Sequence, residues 1–460
     1  MNTAKAAILI YSIFILQLKQ EPIDLFICNK TPFKPMLNND IIQQCNEKLQ
    51  ADHQFRLTYL TELLDRKGID IQTIIDKIKA FQVAIPSWAL GTGGTRFGRF
   101  PNGGEPRNLE EKIEDVGLIH QLNRSSNSIS LHIPWDIPSD ANAIKQLLKA
   151  NDLRIDSVNS NTFQDQKDQA YSYKFGSLSH TKSEVRDLAI QHNIQCVEYG
   201  KMLDSKVLTV WLADGSNFPG QSHMRSAYQR TSDSLSSIYK SMPDDWTMLI
   251  EYKPYEPHFY SMVIPDWGTS YSLCQTVGKN AQVLVDLGHH LPNTNIEQIV
   301  GRLMHFGRLG GFHFNGSMYG DDDLTTGSIK PYQFFLIFNE LVDGMQDSSV
   351  KNPPLAWMID ASHNTKDPIE DLLQSVNAIL TTYAKALLVD RVSLADAQEN
   401  NDVLRAEELL RDTFLTDARA IVAEASRQAG GAIDPIAAFR LGKIRSALVD
   451  KRGFGVATGL

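Results

Sequence analysis

Apolar side chains recur along this chain with two different periods, and the alternation between them predicts the architecture. From residue 36 to about 80 the period is helical: Leu57, Leu60, Leu63 and Leu64 return every three or four residues, as one buried helix face requires. Eight short apolar runs follow: QVAIPSW (82–88), SISLHIPW (128–135), RIDSVNS (154–160), KVLTVWLAD (206–214), TMLIEYK (247–253), QVLVDLGHH (282–290), GGFHFN (310–315) and PLAWMID (354–360). They are rich in β-branched residues and carry apolar side chains on both faces, which suits a parallel sheet covered by helices. The stretches between them are amphipathic. In NIEQIVGRLMHFGRLGG, Ile296, Ile299, Val300 and Leu303 form one stripe, and Gly310 and Gly311 read as its terminating glycines. Eight strands alternating with helices predict an α/β fold, a closed (β/α)8 TIM barrel over residues 81–385.

An open doubly wound sheet is the alternative, but no G-x-G-x-x-G follows the first strand. The glycine-rich GTGGTRFGRFP (91–101) lacks the Lys-Ser/Thr of a phosphate loop and runs into Arg, Phe and Pro. It reads as a long active-site loop. Residues 36–80 form N-terminal helices, and 386–460 a charged C-terminal helical extension suited to oligomer contacts. Residues 1–35 stand apart. AAILIYSIFIL (6–16) behind Lys5 looks like a signal-peptide core, yet it is shorter than the roughly 20 residues a membrane span needs and no A-x-A-like cleavage site follows. The segment reads as lying upstream of the true start, with Met36 the candidate start.

Composition narrows the class. A length of 460 residues would suggest three domains at roughly 150 each, but α/β barrels run to 250 residues and more as one unit. A hydrophobic content of 42% with 22% charged residues is ordinary for a soluble globular protein. The net charge of −9 argues against nucleic acid or an anionic membrane as partner, since both select basic patches. Cys28, Cys45, Cys196 and Cys274 are scattered with no C-x-x-C, which fits reduced thiols in a cytoplasmic protein.

Candidate chemistry collects at the downstream ends of the later runs. Glu251, Asp286, His313 and Asp360 end TMLIE, VLVD, GGFH and AWMID, at gaps of 35, 27 and 47 residues. Each gap is about one strand plus one helix, so the four converge at one barrel rim, where active sites of this fold lie. One such carboxylate alone is more often a helix cap or an ion-pair partner; four on consecutive strand ends make a site. Three carboxylates and an imidazole suit Mn2+, Mg2+, Co2+ or Zn2+ better than a soft metal. His289, three residues past Asp286, and the GDDD stretch with Asp321 and Asp323 form a second set. Alternating carboxylates fall on one side of an extended loop, and with His289 they would hold a second cation with positions open to water or substrate. His132 and Trp135 in LHIPW, Trp211 in VWLAD, and Lys253 read as sugar contacts, aromatic faces against C–H groups and polar tips against hydroxyls. Trp246, Trp267 and Trp357 read as core. The Ser-His pair in SLSHT (177–181) lacks a nucleophile elbow.

At these residues the chain resembles the L-rhamnose isomerases of the broad-specificity bacterial type, relatives of the xylose-isomerase-like barrels. The shared stretches are PSW-x-x-GTGGTRF-x-RFP (86–101), SLHIPWD (130–136), NSNTF (159–163), SYK-x-GSLSHT (172–181), LTVW-x-x-DGSNFPGQS (208–222), DLGHH-x-PNTNIE (286–297), GGFHFN (310–315), YGDDD (319–323) and MID-x-SHN (358–364). The resemblance covers roughly residues 40 to 445. It implies an aldose–ketose isomerase interconverting L-rhamnose and L-rhamnulose, with D-allose and D-psicose as a further pair. Two divalent cations per subunit are implied, Mn2+ foremost. A structural one would fall on Glu251, Asp286, His313 and Asp360, and a catalytic one on His289, Asp321 and Asp323. Lys253 and Asp360 would act in catalysis beside that second set, and His132, Trp135, Trp211 and Lys253 match sugar-contacting positions. Phe97 matches an aromatic that reaches a neighbouring subunit's site, which implies a homotetramer. The chain departs from the pattern at Tyr252, where a histidine stands, and at Gly316 and Met318, where an acidic and a basic residue stand. These departures bear on substrate preference.

Isomerisation moves one hydrogen between C1 and C2 of the open-chain sugar. In a metal-assisted hydride shift the cations polarise O1 and O2 while a metal-bound water moves the hydroxyl proton. In a cis-enediol route a carboxylate removes the C–H proton as general base. The first is favoured, because such a water is a ready base near neutral pH and Lys253 stabilises charge on O1. Sugar epimerisation on the same barrel and metal-dependent phosphoester cleavage compete with this reading. The acidic balance and the tryptophan-lined rim count against the latter.

Overall fold

Strands β1 (Ile85–Pro86), β2 (Ser128–Ile133), β3 (Arg154–Ser160), β4 (Val207–Trp211), β5 (Thr247–Glu251), β6 (Ala281–Asp286), β7 (Leu309–Phe314) and β8 (Ala356–Ile359) pair in chain order, each parallel to the next. The computed structural model describes residues 39–91, 100–361 and 365–454. Beyond β8 the sheet returns to its start: Ala84 N–H donates to Trp357 O at 2.7 Å and Ile359 N–H to Ala84 O at 3.2 Å, all but closing the ring. The β-branched and leucine-rich runs are buried on both faces; all six residues of β2, of β6 and of β7 are buried. The expected eight-stranded (β/α)8 barrel is the fold, with helices between successive strands and helical extensions at both ends.

Helices leave the C-terminal rim under polar caps. Asn108, Asp140, Asp266, Asn295 and Asp367 each accept backbone N–H groups of the first turn. Ahead of the barrel, α1 (Asn39–Asp65) buries Leu60 and Leu64 of the predicted stripe, with Leu57 and Leu63 half-buried, and α2 (Ile71–Ala80) follows. After β8 come a twenty-residue helix (Pro368–Leu387) and five shorter ones ending at Arg452. Arg452 is buried against Asp115 at 2.8 Å, which fastens the last helix to the helix between β1 and β2.

Two local expectations change. The first run yields a strand of only two residues, because Pro86 has no N–H to extend the ladder and the chain turns into a 3-10 helix at Ser87–Leu90. The helix after β6 (Ile296–His305) ends at Gly307 (φ +63°), while Gly310 and Gly311 belong to β7. A Cβ on Gly310 would lie 2.5 Å from Leu249 Cδ2, and one on Gly311 2.3 Å from Ala356 O. Barrel packing, not helix termination, requires these two glycines.

Cys45, Cys196 and Cys274 are free and buried. Among the described residues no single helix is long and apolar enough to cross a membrane. Cys28, Phe97 and the whole of 1–35 lie outside the described residues.

Candidate functional site

Strand ends deliver the site. Glu251 and Asp286 close β5 and β6, His313 is the penultimate residue of β7, and Asp360 directly follows β8. Register sets Asp286 level with His313 and Trp211 level with Glu251. Donor atoms of Glu251, Asp286, His313 and Asp360 all lie within 4.8 Å of one another. His313 Nδ1 stands 3.1 Å from Glu251 Oε1, 3.6 Å from Asp360 Oδ2 and 3.8 Å from Asp286 Oδ2. The Asp360 side chain, 27% exposed, marks the side open to the barrel mouth. Trp88 Nε1 donates to its Oδ1 at 2.9 Å.

A second group among the described residues joins Asp286, His289 and Asp321, again with donor atoms within 4.8 Å. Asp286 is therefore common to both groups, whereas the sequence pattern assigned it to the first alone and gave Asp323 to the second. The reason is local. Residues 317–323 fold as a tight turn rather than an extended loop, with Asp323 in the left-handed region (φ +49°), so the D-x-D alternation does not apply. Asp323 bonds to Asp321 from within the same buried cluster. Asp322 shapes the turn: its Oδ2 accepts from the N–H groups of Met318 (2.6 Å), Tyr319 (2.8 Å) and Gly320 (3.4 Å). Gly316 pairs with Leu324 at the base of the turn, and a Cβ there would lie 2.6 Å from Thr325 O, which leaves no room for an acidic side chain. Asp322→Ala is expected to weaken cation binding at the second group about tenfold, the usual effect of losing a supporting partner. The first group should be unchanged. Titration of the metal-free protein with Mn2+ checks this.

The donor set fits a cation. Asp286 Oδ1 accepts from Gly288 N (2.7 Å) and Asn315 Nδ2 (2.9 Å), while Asp286 Oδ2 and His289 Nδ1 are buried with no hydrogen-bond partner. Buried unpaired polar atoms are costly; a bare cation satisfies them without needing space for a water molecule. Charge tells the same story. Burial opposes ionisation of His313, yet Glu251, Asp360 and Asp286 raise its pKa to about 9. His289 is likewise buried, and Asp286 and Asp321 raise it to about 9. Burial, reinforced by Asp321, Glu251 and Asp360, pushes Asp286 up to about 7. Asp323 is raised by burial and by Asp321. Asp321 stays ionised against its burial because His289 and Lys253 hold it down. Protons thus occupy ligand positions that a divalent cation would take.

Lys253 and an aromatic arc complete the mouth. Lys253 Nζ is 2.6 Å from Asp321 Oδ2, 3.2 Å from Glu256 Oε2, and 5.2 Å from the Trp211 ring centre. From Trp88 the arc runs through His132 (5.4 Å, edge-on), which meets Trp135 at 4.3 Å and Phe163 at 5.7 Å; Phe163 in turn meets Trp211 at 4.7 Å. Its ends touch Asp360 through Trp88 and His289 through Trp211 (6.4 Å). Burial pushes His132 down to about 3, so its imidazole is neutral near neutral pH and this wall carries no charge. The structure thus gathers every predicted site residue it describes. Trp88 and Phe163 were not singled out in sequence, although PSW and NSNTF contain them. Trp246 is buried and Trp357 stacks on Phe312 at 5.9 Å, both away from the mouth.

Comparison with known proteins agrees with the barrel fold. Residues 124–344 match the Xylose isomerase-like TIM barrel family. A probable sugar isomerase of Rhizobium meliloti is 53% identical over 393 residues, covering 85% of this chain and 91% of that protein. Another, of Mesorhizobium japonicum, is 49% identical over 417 residues, covering 91% and 96%. A solved L-ribulose 3-epimerase superposes with a TM-score of 0.50 at 13% identity, covering 67% of this chain and 98% of that one, which is a likeness of fold.

Proposed function

This chain belongs to the xylose isomerase-like TIM barrel family together with the two rhizobial probable sugar isomerases, and we propose that it is an aldose–ketose isomerase acting on L-rhamnose and L-rhamnulose, with D-allose and D-psicose as a further pair. The observation that carries this reading is the pair of donor groups sharing Asp286 opposite an aromatic arc. Two divalent cations, Mn2+ foremost among Mn2+, Mg2+, Co2+ and Zn2+, would be held by Glu251, Asp286, His313 and Asp360 and by Asp286, His289 and Asp321, with Asp323 behind them. Bound there, they supply Lewis acidity to the sugar's O1 and O2 and lower the pKa of a bound water.

The chain's own residues do the rest. Lys253 donates from its ammonium to O1 as negative charge grows there, and Asp321 and Trp211 hold that ammonium in place. Trp135, Phe163 and Trp211 cover the C–H face and keep water from it. The arc's rings bring no carboxylate to that face, and a carboxylate is the base the enediol route requires, which favours a hydride shift. Asp360, fixed by Trp88, stands on the open side toward the sugar.

Residues 81–385 form the catalytic barrel in this reading, preceded by the helices of 36–80. The extension from 386 makes oligomer contacts within a cytoplasmic homotetramer, where Phe97 reaches a neighbouring site. Exposed Val392, Val403, Leu404 and Leu415 support such contacts. An aldose panel assayed with metal-reconstituted protein is expected to give turnover highest on L-rhamnose, with ketose as product. An epimer as sole product would decide against the reading. With C2-tritiated sugar, label is expected to stay in the carbohydrate; substantial release to water would exclude the hydride route.

A further inference from the structure

Tyr252 and His290 each stand one residue past a cation-binding candidate, Glu251 and His289, and neither belongs to the two donor groups. Both are buried, at 1% and 8% exposure. Their rings meet edge to face at 5.5 Å, and the Tyr252 hydroxyl is hydrogen-bonded to His290 Nε2 at 2.7 Å. Ladder pairing of β5 with β6 stops at Glu251 opposite Leu284. The Tyr252–His290 bond therefore ties the two chain segments beyond the point where backbone pairing has ended.

Glu251 and His289 need that tie unequally. Glu251 is the last rung of β5: its carbonyl accepts from Leu212 N–H at 3.1 Å, and its carboxylate meets His313 Nδ1 at 3.1 Å. His289 lies in the turn after β6, where its N–H donates to Asp286 O at a long 3.3 Å. Its Nδ1 lies 3.3 Å from Glu251 Oε1 without a hydrogen bond, and its Nε2 is 3.5 Å from Asp321 Oδ2. These contacts are long, so where the ring sits depends on the backbone that its neighbour His290 anchors. We propose that the Tyr252–His290 hydrogen bond positions His289, so that Tyr252 and His290 are positioning residues for cation binding at the Asp286–His289–Asp321 group. The proposal rests on the two-cation reading above, and it gives a task to the tyrosine that departs from the resembled isomerases at position 252.

Calorimetric titration of metal-free protein with Mn2+, repeated with Co2+ and followed by its d–d absorption, tests this without an activity assay. Wild-type protein is expected to show two binding events. Tyr252→Phe should weaken the one at the His289 group 10- to 100-fold, the range typical of groups that orient metal ligands, and leave the other within about twofold. The single variant also strands His290 Nε2 in the interior, so lost stability alone could lower affinity. The double variant Tyr252→Phe/His290→Leu removes both polar partners; it is expected to recover melting temperature but not affinity. Recovery of affinity along with stability would overturn the positioning role, as would Tyr252→Phe binding both cations like the wild type. A wild-type protein with a single binding event would instead overturn the two-cation reading, and the positioning role with it.

Discussion

Asp286→Asn is expected to abolish binding at both cation groups at once and to lower kcat/KM by about a thousandfold or more. Among the described residues, Asp286 is the one that belongs to both groups. Its Oδ1 is engaged by Gly288 N and Asn315 Nδ2, while Oδ2 is buried without a hydrogen bond, 3.8 Å from His313 Nδ1, where a cation would sit between them. An asparagine keeps an oxygen for Gly288 and Asn315, so the fold should survive, but it replaces the charged oxygen with an amide that cannot ligate. Divalent cations supply several kcal/mol of transition-state stabilisation in reactions of this type, and each ~1.4 kcal/mol is tenfold in rate. Asp360→Asn and Asp321→Asn each touch only one group. Metal analysis after dialysis should therefore find two cations in the wild type, one in each of these variants and none in Asp286→Asn. An Asp286→Asn protein that still holds one cation would show that the residue serves a single group.

The shared role of Asp286 marks how far the sequence could be read. Periodicity located all eight strands, and strand-end position alone brought Glu251, Asp286, His313 and Asp360 together, because a barrel puts equivalent ends of successive strands on one rim. Sharing depends on how the 317–323 turn folds back. That path is set by Asp322 accepting three successive N–H groups and by the close approach at Gly316, neither of which has a periodic signal. Trp88 and Phe163 were missed for a related reason. A tryptophan or phenylalanine in an apolar run is more often core, and only the meeting of loops around His132 makes these two a wall. Gly310 and Gly311 misled because a glycine needed for close strand packing looks the same in sequence as one that ends a helix.

Removing the cations is expected to make the protein's stability fall as pH rises from about 6.5 to about 9, the reverse of what the loaded protein should do. His289 and His313, held near 9 by the carboxylates around them, are raised above their ordinary value of 6.5. A group raised on folding contributes stability that is fully present below its unfolded pKa and is lost as pH climbs through its folded one. Asp286 is raised as well, from 3.8 to about 7, so its contribution has the same sign but is lost between those two values, mostly below this interval. Burial and Asp321 raise Asp323 in the same direction. Glu251 and Asp321 are lowered, so their contributions are lost only in acid, outside this window. A tenfold change in proton affinity is worth about 1.4 kcal/mol, so the metal-free fold should weaken by an amount on the order of several kcal/mol by pH 9. Cations act in the opposite sense: they need deprotonated ligands, so their affinity grows over the same range and replaces the protons as the charge that holds the carboxylates together. The gap in melting temperature between Mn2+-loaded and EDTA-treated protein should therefore be smallest near pH 6 and widen steadily toward pH 9. A melting temperature of the chelated protein that stays flat or rises across that interval would mean that the buried carboxylates do not depend on their two histidines for charge balance.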